Sequence, residues 1–133
     1  MTGPVRTTRT ALVVHGDLGI ISGLQDALVS GGFNVIAARD LPTALLAATQ
    51  HYFDLILVSS RVTEEGDGWP LAEVLHMVFR ESYIAVIAPY RNVISLQAAI
   101  NHGANQVFEF TTSPAQIVGA ILQKIALPLR SIQ

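Results

Sequence analysis

Two serines close the most hydrophobic stretch of the chain. Ser59 and Ser60 follow Phe53-Asp54-Leu55-Ile56-Leu57-Val58 and precede Arg61, with Gly66-Asp67-Gly68-Trp69 a short loop downstream. A serine hydroxyl becomes a competent nucleophile only beside a base. The histidine that the order of the chain can bring to the same place is His15, in the segment His15-Gly16-Asp17 that ends an earlier apolar run. Such a pair could transfer a phosphoryl group or support hydrolysis, but the simpler chemistry is structural, with each hydroxyl bonding the backbone of its own loop. His51, His76 and His102 share no metal-ligand spacing and read as surface polar residues. The chain has no cysteine, so it offers neither a disulfide frame nor a thiolate metal site. No metal and no cofactor is expected.

The elements that must position these residues alternate regularly. Ala11 to Val14 forms a short β-branched run, and Leu18, Ile21, Leu24, Leu28 and Val29 then recur at helical spacing up to Gly31-Gly32. Phe33 to Ala38 reads as a second strand. Asp40 and Pro42 give a cap and a first-turn signal before the Ala- and Leu-rich Thr43 to Gln50. Asp54 to Val58 is the third and most hydrophobic strand, as the middle of a sheet covered on both faces requires. Trp69 to Arg80 is a third helix, Tyr83 to Ala88 a fourth strand stopped by Pro89, and Val93 to His102 a helix closed by Gly103. Gln106 to Phe110 is the last strand, and Ser113-Pro114 opens a helix through about Ile125. Five strands alternating with five helices predict an α/β fold with a doubly wound, five-stranded parallel sheet.

Composition narrows the function. A length of 133 residues suits one domain, here placed at residues 11–127, with residues 1–10 a flexible lead-in and 128–133 a tail. Only 14% of residues are charged while half are hydrophobic, against roughly 25% charged in an average domain. Apolar groups must therefore remain outside, which favours a protein partner. The net charge of −2, with no basic cluster, lacks the footprint of phosphate-backbone binding, so no direct nucleic-acid contact is expected. No apolar run approaches membrane-spanning length and none resembles a secretory leader; with no cysteine, a cytoplasmic location is expected.

Asp54-Leu-Ile-Leu-Val with Gly66-Asp67-Gly68, Gly103-Ala104-Asn105-Gln106-Val107-Phe108, and the Ser113-Pro114 helix opening together resemble the receiver domain of bacterial two-component response regulators. The resemblance runs from about residue 10 to 126 and implies the flavodoxin-like receiver topology. It also implies a set of groups at the carboxyl ends of the strands, several of which are replaced. The family's two metal-binding acids fall at His15 and Gly16, with Asp17 the one remaining carboxylate. The phosphoacceptor aspartate falls at Ser59 counted from Asp54, or at Ser60 counted back from Asp67-Gly68. The switch hydroxyl falls at Ala88, the lysine at Phe110 and the following proline at Thr111. The aromatic switch position falls at Val107 or Phe108.

These replacements point to a degenerate receiver, a pseudo-receiver that is not an enzyme and signals through protein contacts without aspartyl phosphorylation. The resemblance implies pairing through Val93 to His102, Gln106 to Phe110 and Ser113 to Ile125, as a homodimer or with another receiver-like, kinase or output domain. Ile94, Ile117 and Ile121 are the candidate contact residues. The last helix reads as apolar around much of its circumference, with Ile121 at an outward position; Ile121→Glu is expected to split a dimer if that face is used, whereas the same change at a buried position would unfold the domain. The alternative is a regulatory domain that binds a small molecule or anion near His15, Ser59, Ser60 and Arg61.

Overall fold

The computed structural model describes residues 9–125; the segments 1–8 and 126–133, which hold most of the expected lead-in and all of the expected tail, lie outside the described residues. Strands β1 (Arg9–Val14), β2 (Phe33–Ala38), β3 (Leu55–Ser59), β4 (Tyr83–Ala88) and β5 (Gln106–Glu109) alternate with helices α1 (Leu18–Ser30), α2 (Leu41–Gln50), α3 (Gly68–Val78), α4 (Val93–His102) and α5 (Pro114–Ile125). All strand pairs are parallel and the sheet order is β2-β1-β3-β4-β5. This is the doubly wound parallel sheet the alternation predicts, in the flavodoxin-like strand order the resemblance implies. The order reverses between β1 and β3, and the crevice above that point is where open α/β sheets place their sites.

Strand periodicity divides the core in two. Leu12, Val14, Ile56, Val58, Ile84 and Val86 pack on one face with Ala44, Ala47, Leu71 and Leu75 of α2 and α3. The alternate residues Ala11, Val13, Leu55, Leu57, Ala85 and Ile87 pack on the other with Leu24 and Leu28 of α1 and Ile117 and Ile121 of α5. Successive side chains of a strand point to opposite faces, so the nearly unbroken apolar runs of β1, β3 and β4 reflect burial on both.

Polar side chains fix where elements begin and end. Asp17 caps α1 by accepting from the Ile20 N–H at 3.1 Å, and Asp40 caps α2 by accepting from Thr43 N–H at 2.8 Å. Asn92 and Ser95 form a reciprocal capping box on α4. Asp54 precedes β3 rather than opening it, because its carboxylate accepts from the Thr10 N–H at 2.9 Å and ties β1 to this point. Ser59 instead completes β3, paired with Ile87. Helix α3 stops at Val78, earlier than the pattern suggests, with Phe79 turned into the core.

Candidate functional site

Ser59 and Ser60 stand where β3 emerges at the carboxyl edge. Ser59 is fully buried, and its hydroxyl donates to the Arg61 carbonyl at 2.7 Å while accepting from the Arg61 N–H at 3.1 Å. That oxygen is committed to its own loop, the structural role expected of a loop serine. The backbone of Ser60 is held on both sides: its N–H donates to the Ile87 carbonyl at 2.8 Å and its carbonyl accepts from Gly68 N–H at 3.0 Å. Gly68 allows this approach, since a Cβ there would lie 1.8 Å from the Ser59 carbonyl oxygen.

The loop from Arg61 to Asp67 is organised by one carboxylate. Asp67 accepts from the N–H groups of Val62, Thr63 and Glu64 at 2.7, 3.0 and 2.9 Å, and from the Thr63 hydroxyl at 2.8 Å. Burial raises its pKa, but these four donors together outweigh burial and hold it at about 2. The sequence marks Asp67 only as half of an Asp-Gly pair; its bonds back to residues three to five positions earlier are the signal such a turn leaves.

Across the crevice, the β1–α1 loop meets this loop closely. A Cβ on Gly16 would lie 2.4 Å from the Val62 carbonyl oxygen. The place beside β1 where a second acidic side chain could stand is thus occupied by the backbone of the β3–α3 loop. The Gly16 carbonyl accepts from Arg39 at 3.1 Å. His15 is half-buried, and its Nδ1 accepts from the Asp17 N–H at 3.0 Å, which leaves the ring proton of the neutral imidazole on Nε2. Burial pushes the His15 pKa down, and the nearby Asp17 carboxylate only partly opposes this.

The structure does not bring His15 and the serines together as one pocket. His15 lines a cavity of ≈ 280 Å³ with Ile20, Ile87, Phe110, Pro114 and Ile117, and its ring lies 6.4 Å from that of Phe110. Ser60 and Arg61 instead line a groove of ≈ 360 Å³ toward Trp69, Ala88 and α4. No hydrogen bond joins His15 to either serine. Among the described residues, no group of three or more His, Cys, Asp or Glu side chains is disposed to hold a metal ion. Ala88 ends β4, and Phe110 lies just past β5, its N–H donating to the Ala88 carbonyl at 2.9 Å. Val107 packs with Ala88 and Ala99 beneath α4, while Phe108 joins the α1–α5 core.

The contact candidates separate sharply. Ile94 is 78% exposed, but Ile117 and Ile121 are 2% and 0% exposed. Both α5 isoleucines sit in the core against the sheet, so they are unavailable to a partner; the outward placement of Ile121 is overturned, and Ile121→Glu falls under the buried case, in which the domain unfolds. Helix α5 is amphipathic rather than apolar all round: Ala115, Gln116, Gly119, Gln123 and Lys124 form its solvent face. The apolar surface lies on α4, where Val93, Ile94 and Ile100 are 81%, 78% and 73% exposed and Tyr90 precedes them at 70%. Val93, Leu96, Gln97 and Ile100 form one stripe at helical spacing, and Leu96 and Ile100 border a groove of ≈ 410 Å³ running to Gln106 of β5 and Lys124 of α5.

No protein-family model and no curated protein matches the sequence. Solved structures do match in shape. A CheY-like response regulator receiver domain protein from Methanospirillum hungatei JF-1 superposes with a TM-score of 0.81 at 19% identity, covering 94% of this chain and 99% of its own. A response regulator from Thermotoga maritima gives 0.79 at 20% identity, covering 90% and 98%. The chain has the receiver fold. An orphan response regulator of H. pylori shares that fold at 14% identity, with a TM-score of 0.77 over 88% of this chain and 96% of its own. Residues 9–125 thus carry the five strands and five helices of the receiver fold.

Proposed function

We propose that this chain is a degenerate receiver, a signalling module that works by protein contact without aspartyl phosphorylation. The observation that carries this reading is the approach of the Val62 carbonyl to Gly16. Loss of an acceptor carboxylate at Ser59 or Ser60 removes the chemistry, but a pocket emptied only by substitution could be refilled. Here the backbone of one loop stands where a side chain at Gly16, the second of the two acid positions, would have to go, and the Ser59 hydroxyl is engaged within its own loop. Neutral His15 and the aromatic ring of Phe110 replace the charges that would hold a metal and a phosphoryl group. Ala88 offers no hydroxyl to answer a modification.

Output in this reading runs through α4, β5 and the exposed edge of α5. Helix α4 has no Asp, Glu, Lys or Arg, and its outward stripe is apolar except for Gln97. Covering such a surface against a second copy, or against another receiver-like, kinase or output domain, removes it from water. No described helix is long and apolar enough to cross a membrane.

Incubation with acetyl phosphate and Mg²⁺ followed by intact mass spectrometry tests the chemical half of the proposal. The mass is expected to stay unchanged. A stoichiometric gain of one phosphoryl group would falsify it.

A further inference from the structure

The groove between the β3–α3 loop and α4 has the features of a small-molecule site that the receiver fold does not itself require. Its volume, ≈ 360 Å³, falls within the range of roughly 300–1,000 Å³ typical of ligand pockets. Ser60 is 4% exposed and its hydroxyl has no hydrogen-bond partner among the described residues. That oxygen is nevertheless not sealed away unsatisfied, so it opens into the groove it lines. Its backbone is clamped by Ile87 and Gly68, which fixes where the hydroxyl is presented.

The rest of the lining narrows the ligand class. Trp69, half-buried and in ring contact with His102, supplies an aromatic wall, and Ala88, Pro89 and Ile94 are apolar. Arg61 is exposed at the rim and forms no ion pair among the described residues. Glu65 stands on the same rim, and its carboxylate disfavours a ligand carrying several negative charges. We propose that this groove binds a small planar aromatic monocarboxylate, its ring against Trp69 and its carboxylate shared between the Arg61 guanidinium and the Ser60 hydroxyl. Such a site is independent of whether the chain can be phosphorylated.

Trp69 is the sole tryptophan, so its indole N–H gives one NMR resonance that reports on this groove. Titration of the whole chain with 2-naphthoate is expected to shift that resonance saturably, with a Kd of about 1 mM or tighter. The neutral 2-naphthamide is expected to bind about tenfold more weakly, a difference of about 1.4 kcal/mol. Arg61→Gln, at an exposed position that leaves the fold intact, should abolish the preference for the acid. Ser60→Ala should weaken 2-naphthoate severalfold with an unchanged melting midpoint. Absence of saturation at several millimolar, equal binding of acid and amide, or wild-type affinity in Arg61→Gln each overturns the proposal. Equal displacement of the shift by inorganic phosphate also overturns it, since that marks a bare anion site.

Discussion

Helices α4 and α5 flank the same edge strand and have similar apolar content, yet they use it in opposite ways. In α5 the large apolar residues Ile117, Val118 and Ile121 are buried against β1, β3 and β4, and the outward positions are Ala, Gly, Gln and Lys. In α4 the residues that face the sheet are small, Ser95 and Ala99, while Val93, Ile94 and Ile100 point away from it. A helix that presents small residues inward and large ones outward gains little from its own domain. Its outer face is therefore the one whose burial a partner would add.

That contrast can be broken by charge. Ile121→Glu, which places a carboxylate in the α1–α5 core, should cost at least about 3 kcal/mol, through lost side-chain burial and an unpaired buried charge. Chemical denaturation is expected to show a mostly unfolded or strongly destabilised variant; near-wild-type stability would mean α5 is not seated as described. A middle-sized effect is expected in the β3–α3 loop, across the groove from α4. Removing the Asp67 carboxylate with Asp67→Ala leaves three backbone N–H groups without their acceptor and should cost about 1–3 kcal/mol at neutral pH. Because the folded pKa of Asp67, about 2, lies below the unfolded value near 3.9, its contribution is complete above about pH 4. It is lost as pH falls from there through about 2, and that part of the acid sensitivity should vanish in Asp67→Ala. Melting midpoints between pH 2 and pH 5 check both statements.

The double variant Ile94→Glu with Ile100→Glu should leave monomer stability within about 0.5 kcal/mol per site, as exposed substitutions usually do. It should nevertheless weaken self-association by tenfold or more, read by sedimentation. Unchanged association would remove α4 from the interface. The smallest effect is expected at His15. Its pKa is lowered in the folded state by burial, so the domain loses a little stability as pH falls from about 6.5 toward the folded value. His15→Leu should flatten the stability profile over that window while leaving it unchanged above pH 7.

Much of the fold is legible in the sequence because the apolar pattern is unambiguous. Phe33 to Ala38, Tyr83 to Ala88 and Val93 to His102 coincide with β2, β4 and α4, each bounded by a glycine, proline or capping residue. Asp17, the one carboxylate left beside His15 and Gly16, serves as the cap of α1. Errors fall where tertiary contacts decide. Asp54 reads as strand, but its carboxylate is drawn to Thr10. The apolar letters of α5 suggest a helix apolar around much of its circumference, but the sheet at β1, β3 and β4 claims the large ones. The order of residues places Gly16 where the resemblance implies an acid, but gives no sign that a side chain there would meet the Val62 carbonyl. Close approach between backbones leaves no mark in residue order beyond the glycine itself. The division of His15 from Ser60 into separate cavities is likewise set by packing, through Phe110 and the closed loop.

Molar mass by light scattering coupled to size exclusion, measured at tens of micromolar with and without acetyl phosphate and Mg²⁺, addresses phosphorylation-independent contact most directly. The expected result is a dimer of the same mass in both conditions, covering α4 in an interface of roughly 1,200–2,000 Å². A monomer that becomes a dimer only with the phosphodonor would contradict it, as would a monomer in both.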